Sequence, residues 1–193
     1  MYERKDHFYK KAKKEGFVSR AAYKILEIQK KFKIWRQGSL ILDLGCAPGG
    51  WLQILSKEVG PRGKVVGIDR LPLKIQPPPN VTFFQKNMEE TQSLLTEKFD
   101  CIVSDLSPDL SGITFRDNYL SFELAMKVWN IAKQFLKENG NLVIKLFPGE
   151  ETNLLKTELK KSFQQLNTYV PEATRKTSSE IYFVALKFKP GIH

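Results

Sequence analysis

Residues 40–51, LILDLGCAPGGW, constrain what this chain can fold into more than any other stretch. Leu40, Ile41, Leu42 and Leu44 make the apolar run of a strand buried on both faces, and Gly45, Gly49 and Gly50 follow at once. Glycine permits a tight turn and lets backbone approach a ligand with no Cβ in the way. Residues 51–58 then carry apolar side chains at helical spacing. Twenty positions after Gly49, a second apolar run, KVVGID, ends in Asp69. A glycine turn after strand one, with a carboxylate about 20 residues on, is the arrangement that holds an adenosine ribose in doubly wound α/β sheets.

The turn departs from the dinucleotide spacing G-x-G-x-x-G. Pro48 fixes φ and removes a donor where that motif is flexible, which argues against a pyrophosphate lying along the helix N-terminus. The plainer alternative, a βα turn that needs small residues only for packing, does not account for the placement of Asp69. Further strands are predicted at 81–86, 99–105 and 141–147, and two closing strands at 166–170 and 180–189. Ser19 is placed to cap a helix over 20–32, with Ala22, Ile25, Leu26 and Ile28 toward the core and Lys24 on a neighbouring face. Longer helices are predicted over 118–138, stopped by Gly140, and over 150–165. Alternating strands and helices imply a mostly parallel sheet with helices on both faces. Ligands bind beyond the carboxyl ends of such strands, so the strand-end residues Asp69, Asn87, Asp105 and Lys145 become candidates.

Charge separates the chain into two parts. Residues 1–37 hold 12 Lys/Arg and 4 Asp/Glu, a net of +8, and the remaining residues hold 19 and 17, a net of +2. A solvated charged helix is the simplest source of such a run. Here Tyr2, His7, Phe8, Tyr9, Phe17 and Tyr23 are interleaved with the lysines. Cations attract phosphates and aromatic rings stack on bases, so residues 1–37 are expected to be an RNA-binding arm and helix, with 1–18 mobile. Residues 38–193 are expected to be the catalytic part of what is one compact domain overall. No apolar run reaches membrane-spanning length and no secretory h-region follows the basic start, so a cytoplasmic protein without membrane contact is expected. Cys46 and Cys101, 55 positions apart, read as reduced thiols, and His7 and His193 stand at opposite ends, so no metal site is expected.

Six segments, in this order and spacing, resemble the FtsJ/RrmJ family of RNA ribose 2′-O-methyltransferases: SRAAYKI, DLGCAPGGW, GIDRLP, SDLSPDLSG, VIKLFPGE and SSEIYFVA. The resemblance implies a Rossmann-like, seven-stranded S-adenosylmethionine-dependent methyltransferase fold whose last strand pair reverses direction. It implies S-adenosyl-L-methionine as cofactor and ribosomal RNA of the large (23S) subunit, or a precursor of it, as partner, with a uridine as target and the protein acting as a monomer. It also implies a catalytic tetrad of Lys24, Asp105, Lys145 and Glu180. Cofactor contacts fall on Gly49, Trp51, Asp69, Asn87 and Asp105. Asn87 stands where the family usually has an aspartate, keeping an acceptor oxygen but losing the charge. Asp109 stands where asparagine is commoner, and Pro148 is a further departure.

A ribose hydroxyl is a poor nucleophile until its proton is removed, so a base and an oriented methyl donor are the two requirements. Neutral Lys145 is the expected base. Burial and the Lys24 cation favour the neutral form, while Asp105 and Glu180 oppose it. Three other readings stand beside this one. They are the same chemistry on tRNA or an mRNA cap, a catalytically silent ribosome-assembly factor that retains the fold, and a small-molecule methyltransferase. The intact tetrad speaks against the silent factor, the lack of an extra domain for a cap clamp against the cap enzyme, and the basic terminal segment against a small-molecule substrate.

Overall fold

The computed structural model describes residues 7–191. Seven strands, β1 (Leu40–Leu44), β2 (Lys64–Asp69), β3 (Val81–Gln85), β4 (Phe99–Ser104), β5 (Leu136–Leu146), β6 (Phe163–Tyr169) and β7 (Ile181–Phe188), form one sheet in the order β3-β2-β1-β4-β5-β7-β6. The first five strands run parallel, and β7 pairs antiparallel with both β5 and β6. The fold is therefore the α/β sheet with a reversed final pair that the resemblance implied. Its strand order reverses between β1 and β4, which opens a crevice at their carboxyl ends.

Helices cover both faces. Helices α2 (Ala21–Phe32) and α3 (Gly50–Val59) bury Ile25, Ile28, Trp51, Leu52 and Leu55 against Ile41, Val65, Val103 and Val184 of the sheet. Helices α5 (Thr114–Phe135) and α6 (Thr152–Ser162) close the other face over Leu42, Ile68, Ile102 and Ile144. On this side Trp129 is fully buried between Phe163 and Phe188, with ring centroids 5.8 and 6.1 Å away. Fully burying one such aliphatic side chain contributes roughly 1.5–3 kcal/mol, which is why strands covered twice read as near-continuous apolar runs.

Three local expectations are corrected. Residues 7–14 are helical (α1, His7–Lys14), because Ala12 is buried with Tyr23 and Ala173 and the Phe8 ring packs on Tyr23 at 5.6 Å. The mobile arm expected over 1–18 therefore fails for this stretch, and its first six residues lie outside those described. Helix α5 starts at Thr114 and ends at Phe135, short of Glu138, because Leu136 is buried and pairs with Phe99. Five residue steps of β5, Leu136 to Asn141, oppose only two of β4, Phe99 to Cys101. Gly140 therefore lies in a strand irregularity and does not cap a helix. A 3-10 turn (Met88–Glu90) and the short α4 (Thr91–Leu94), which no periodicity announced, follow β3. Among the described residues no helix is long and apolar enough to cross a membrane.

Candidate active site

The glycine turn sits where β1 gives way to α3, and it is conformationally demanding. Gly45 and Gly49 have φ of +82° and +111°, values that L side chains rarely adopt. A Cβ at Gly45 would lie 2.4 Å from Leu106, and one at Gly49 would lie 2.6 Å from Ile75. The space the sequence reading left for a ligand is thus taken at these two positions by neighbouring side chains. The glycines are needed for backbone conformation and packing. Asp69, at the end of β2, locks the turn: Oδ2 accepts from Ala47 N–H and Oδ1 from Leu71 N–H, both at 2.8 Å.

A cleft of about 470 Å³ opens beside this turn, walled by Gly45, Ile68, Asp69, Asn87, Met88 and Leu106 among others. Asn87 donates its main-chain N–H to Glu90 at 3.0 Å, which fixes the 3-10 turn at the cleft's rim. Arg70 and Asp109 face each other as an exposed ion pair on the same walls, N–O 3.1 Å. Behind the turn, Asp43 is completely buried and neither carboxylate oxygen has a hydrogen-bond partner. Burial, and then the charges of Asp105 and Asp69, push its carboxyl well above the usual carboxylate range. Burial, with the nearby Asp43 and Asp69, likewise pushes the Cys46 thiol up. Cys46 and Cys101 are both buried and unbridged.

These residues fit an adenosylated sulfonium amino acid. Asp69 could take ribose hydroxyls, and Ile68, Met88 and Leu106 could give apolar surface to a base. Trp51 is different from the others named for this role. Its indole is 3% exposed and donates Nε1–H to Ala21 O at 2.8 Å, so only its main-chain N–H at the start of α3 is left to offer.

The four tetrad residues come from four separate segments and meet in two ion pairs. Lys145, in β5, places Nζ 3.1 Å from Asp105 Oδ1 and donates to Asp105 O at 2.7 Å. Lys24, in α2, pairs with Glu180 just before β7. Lys24, Lys145 and Glu180 are buried. Tyr182 joins the pairs: its hydroxyl donates to Asp105 Oδ1 at 2.6 Å, and its ring centroid is 5.8 Å from Lys24 Nζ. The β5–β7 register sets Tyr182 directly opposite Lys145. Burial alone would raise the Asp105 carboxyl, but Lys145 and Lys24, with hydrogen bonds from Tyr182 and Lys145, hold it below its usual range. Burial and the charges of Asp105 and Glu180 push the Tyr182 phenol well up, so it serves as a donor.

A second cleft, of about 510 Å³, has Lys24 and Glu180 in its wall, together with Arg20, Ser107, Leu110, Asn118 and Arg175. Ser107 also lines the first cleft, so the two meet at the segment following Asp105. The structure thus gathers Lys24, Asp105, Lys145 and Glu180, and sets Gly49, Asp69 and Asn87 around the neighbouring turn and cleft. Sequence reasoning missed Tyr182, whose signal was its place two residues after Glu180, the spacing that puts two side chains on one face of extended chain. It also passed over Asp43, the one charge in an otherwise apolar LILDL strand.

A glycine turn at a strand-order switch, a carboxylate ending β2 and a reversed final strand define the class: this is the fold of the S-adenosylmethionine-dependent methyltransferases. Fibrillarin of Aeropyrum pernix, a structure with natively bound S-adenosylmethionine, shares it at TM-score 0.62 and 18% identity, over 86% of this chain and 73% of that one. The FtsJ-like methyltransferase family model matches residues 17–188, and the chain belongs to that family. The proteins named ribosomal RNA large subunit methyltransferase E of Archaeoglobus fulgidus and Methanobrevibacter smithii are 42% and 41% identical to it, each over 98% of this chain and 99% and 93% of their own. A Plasmodium falciparum structure described as a ribosomal RNA methyltransferase superposes with TM-score 0.75 at 31% identity, covering 89% of this chain and 98% of that one.

Proposed function

We propose that this protein methylates the 2′-hydroxyl of a uridine ribose in large-subunit ribosomal RNA, with Lys145 as general base. The observation that carries the reading is the position of Lys145 Nζ, held at 2.7 and 3.1 Å by O and Oδ1 of Asp105, two residues before Ser107, which lines both clefts. The names of the relatives, over nearly the whole chain, support the RNA class.

S-adenosylmethionine, when bound, supplies a methyl already activated on a sulfonium sulfur. Asp69 would hold its ribose, Asn87 the base region, and the main-chain N–H of Trp51 with Asp105 the methionyl end, Gly49 serving to shape the turn, since its own N–H is given to Cys46 O at 2.8 Å. The remaining work falls to the chain's own side chains. The second cleft receives the nucleotide, with Arg20 and Arg175 facing its phosphates. Lys145, through its free-amine form, takes the 2′-hydroxyl proton as the oxygen–methyl bond forms and the sulfur–methyl bond breaks. Asp105 then stabilises the ammonium it has helped to orient. Lys24 and Glu180 neutralise each other beside the ribose, and Tyr182 fixes Asp105 so that Lys145 has one position.

Residues 1–37 are the RNA-docking part of this reading. On α1 the side chains of Lys10, Lys11, Lys13 and Lys14 are exposed, while Phe8 and Ala12 pin the helix to Tyr23 of α2, the residue before Lys24. Docking and the tetrad are thereby mechanically linked. The test is to incubate the protein with methyl-labelled S-adenosylmethionine and unmodified large-subunit RNA, free or assembled, and map the product by mass. A single 2′-O-methyluridine is expected. Label on a nucleobase, or label on tRNA alone, overturns the reading.

A further inference from the structure

Eight large hydrophobic side chains are exposed among the described residues, and four of them, Leu110, Ile113, Phe115 and Tyr119, lie within ten positions of one another. Phe115 and Tyr119 are 63% and 42% exposed and stand four apart on α5, on one helix face. Singly exposed apolar residues are ordinary, but a concentration of them marks a contact surface. This one is held in shape. Asp117 accepts from Ser111 N–H at 2.9 Å, Ser111 Oγ–H at 2.7 Å and Gly112 N–H at 3.1 Å, tying the loop that carries Leu110 and Ile113 to the first turn of α5.

The patch is continuous with the second cleft, since Leu110, Thr114 and Asn118 form part of that cleft's wall. We propose that Phe115 and Tyr119, flanked by Leu110 and Ile113, form a stacking platform for unpaired nucleobases next to the reacting nucleotide. The proposal rests on the RNA reading above and specifies how the strand is held. Charge decides the occupant. Arg20 and Arg175 line the cleft that the patch adjoins, where Lys24 is paired with Glu180, and Arg116, on the same helix as the two rings, lines the neighbouring cleft. Aromatic faces beside cations suit a single-stranded polyanion, whereas an apolar protein anchor would gain nothing from the cations. A base stacked on the platform fixes the strand at the cleft's lip and limits how far the neighbouring ribose can wander from Lys145.

The test compares wild type with the double variants Phe115→Ala/Tyr119→Ala, Phe115→Leu/Tyr119→Leu and Phe115→Trp/Tyr119→Trp. The probe is a short single-stranded oligoribonucleotide carrying 2-aminopurine, and S-adenosylmethionine binding by calorimetry reports on the fold. In the alanine variant, RNA affinity is expected to fall at least about fivefold, the worth of one stacked base. Quenching of 2-aminopurine should be lost, with cofactor affinity unchanged. Tryptophan should restore both readouts and leucine neither. Wild-type behaviour in the alanine variant overturns the platform while the RNA reading stands. Wild-type behaviour in the leucine variant also overturns it, showing an apolar protein-docking face instead. If the wild type binds cofactor but neither binds nor methylates RNA, the underlying reading fails and the platform with it.

Discussion

Asp69 finds its hydrogen-bond partners 22 and 2 positions away, whereas Lys24 finds Glu180 across 156 positions, from residue 24 to residue 180. The two clefts differ in the same way. The one beside β2 and β3 has one wall built from short stretches, a glycine turn, the carboxylate that braces it and a capped 3-10 turn, and is closed opposite by residues 106–109 and α5. The tetrad beside the other is assembled from α2, β5 and the segments flanking β4 and β7, which meet only when the sheet is complete. Damage to the first should be graded and local. Damage to the second removes one partner of a buried ion pair, which typically costs about 3–5 kcal/mol and disturbs the chemistry directly.

The largest effect is expected from Lys145→Ala. Losing a general base lowers rates by roughly 10²–10⁴-fold. Single-turnover methylation should fall by this amount while calorimetric cofactor binding stays close to wild type. Near-normal turnover would remove Lys145 from the base role and break the contrast between the clefts.

Asp69→Ala should act on the cofactor side. Charge-assisted hydrogen bonds are worth about 1.5–3 kcal/mol, so cofactor affinity should drop roughly 10- to 150-fold. Because Asp69 also braces Ala47 and Leu71, the melting temperature should fall as well, and Asp69→Asn should fall between the two. Unchanged affinity would place the ribose elsewhere.

Replacing Lys10, Lys11, Lys13 and Lys14 with glutamine should leave cofactor binding alone and change the salt dependence of RNA binding. Counterion release gives a slope of roughly −0.7 to −0.9 per phosphate, so the slope should flatten by as much as about 3. Parallel slopes for variant and wild type would make α1 a solvated face and no more.

The smallest effect concerns Asp43. Its carboxyl is raised in the folded protein, so the buried acid is accommodated below the ordinary carboxylate value of about 3.9 and becomes a liability as pH climbs above it. Asp43→Asn should therefore raise the melting temperature of the cofactor-free protein at about pH 7 and change it little at about pH 3.5. A variant equally stabilised at both values would mean that Asp43 does not titrate between the folded and unfolded states.

The residues around the site were legible to unequal degrees, and distance along the chain explains why. The turn at Gly45–Gly50, the run KVVGID ending in Asp69 and the order of seven strands all lie in patterns of a few residues, where periodicity and backbone preference act locally. Strand-end polarity and the family resemblance then put Lys24, Asp105, Lys145 and Glu180 on one list, although nothing local says which lysine pairs with which carboxylate. That pairing came from the sheet. The antiparallel register of β5 and β7 sets Tyr182 opposite Lys145, and burial of α2 against α3 carries Lys24 to Glu180. Tertiary packing also overrode local signals. It drew Leu136 out of a helical pattern to pair with Phe99, folded residues 7–14 into a helix on Tyr23, turned the Trp51 indole into the core, and filled the space over Gly45 and Gly49 with Leu106 and Ile75. The sequence by itself determined the class of fold and the types of residue at its ligand edge, because those follow from apolar spacing and backbone freedom. Only the tertiary structure decided the partners of each charge and the occupants of each gap, because these depend on burial between segments that are far apart along the chain.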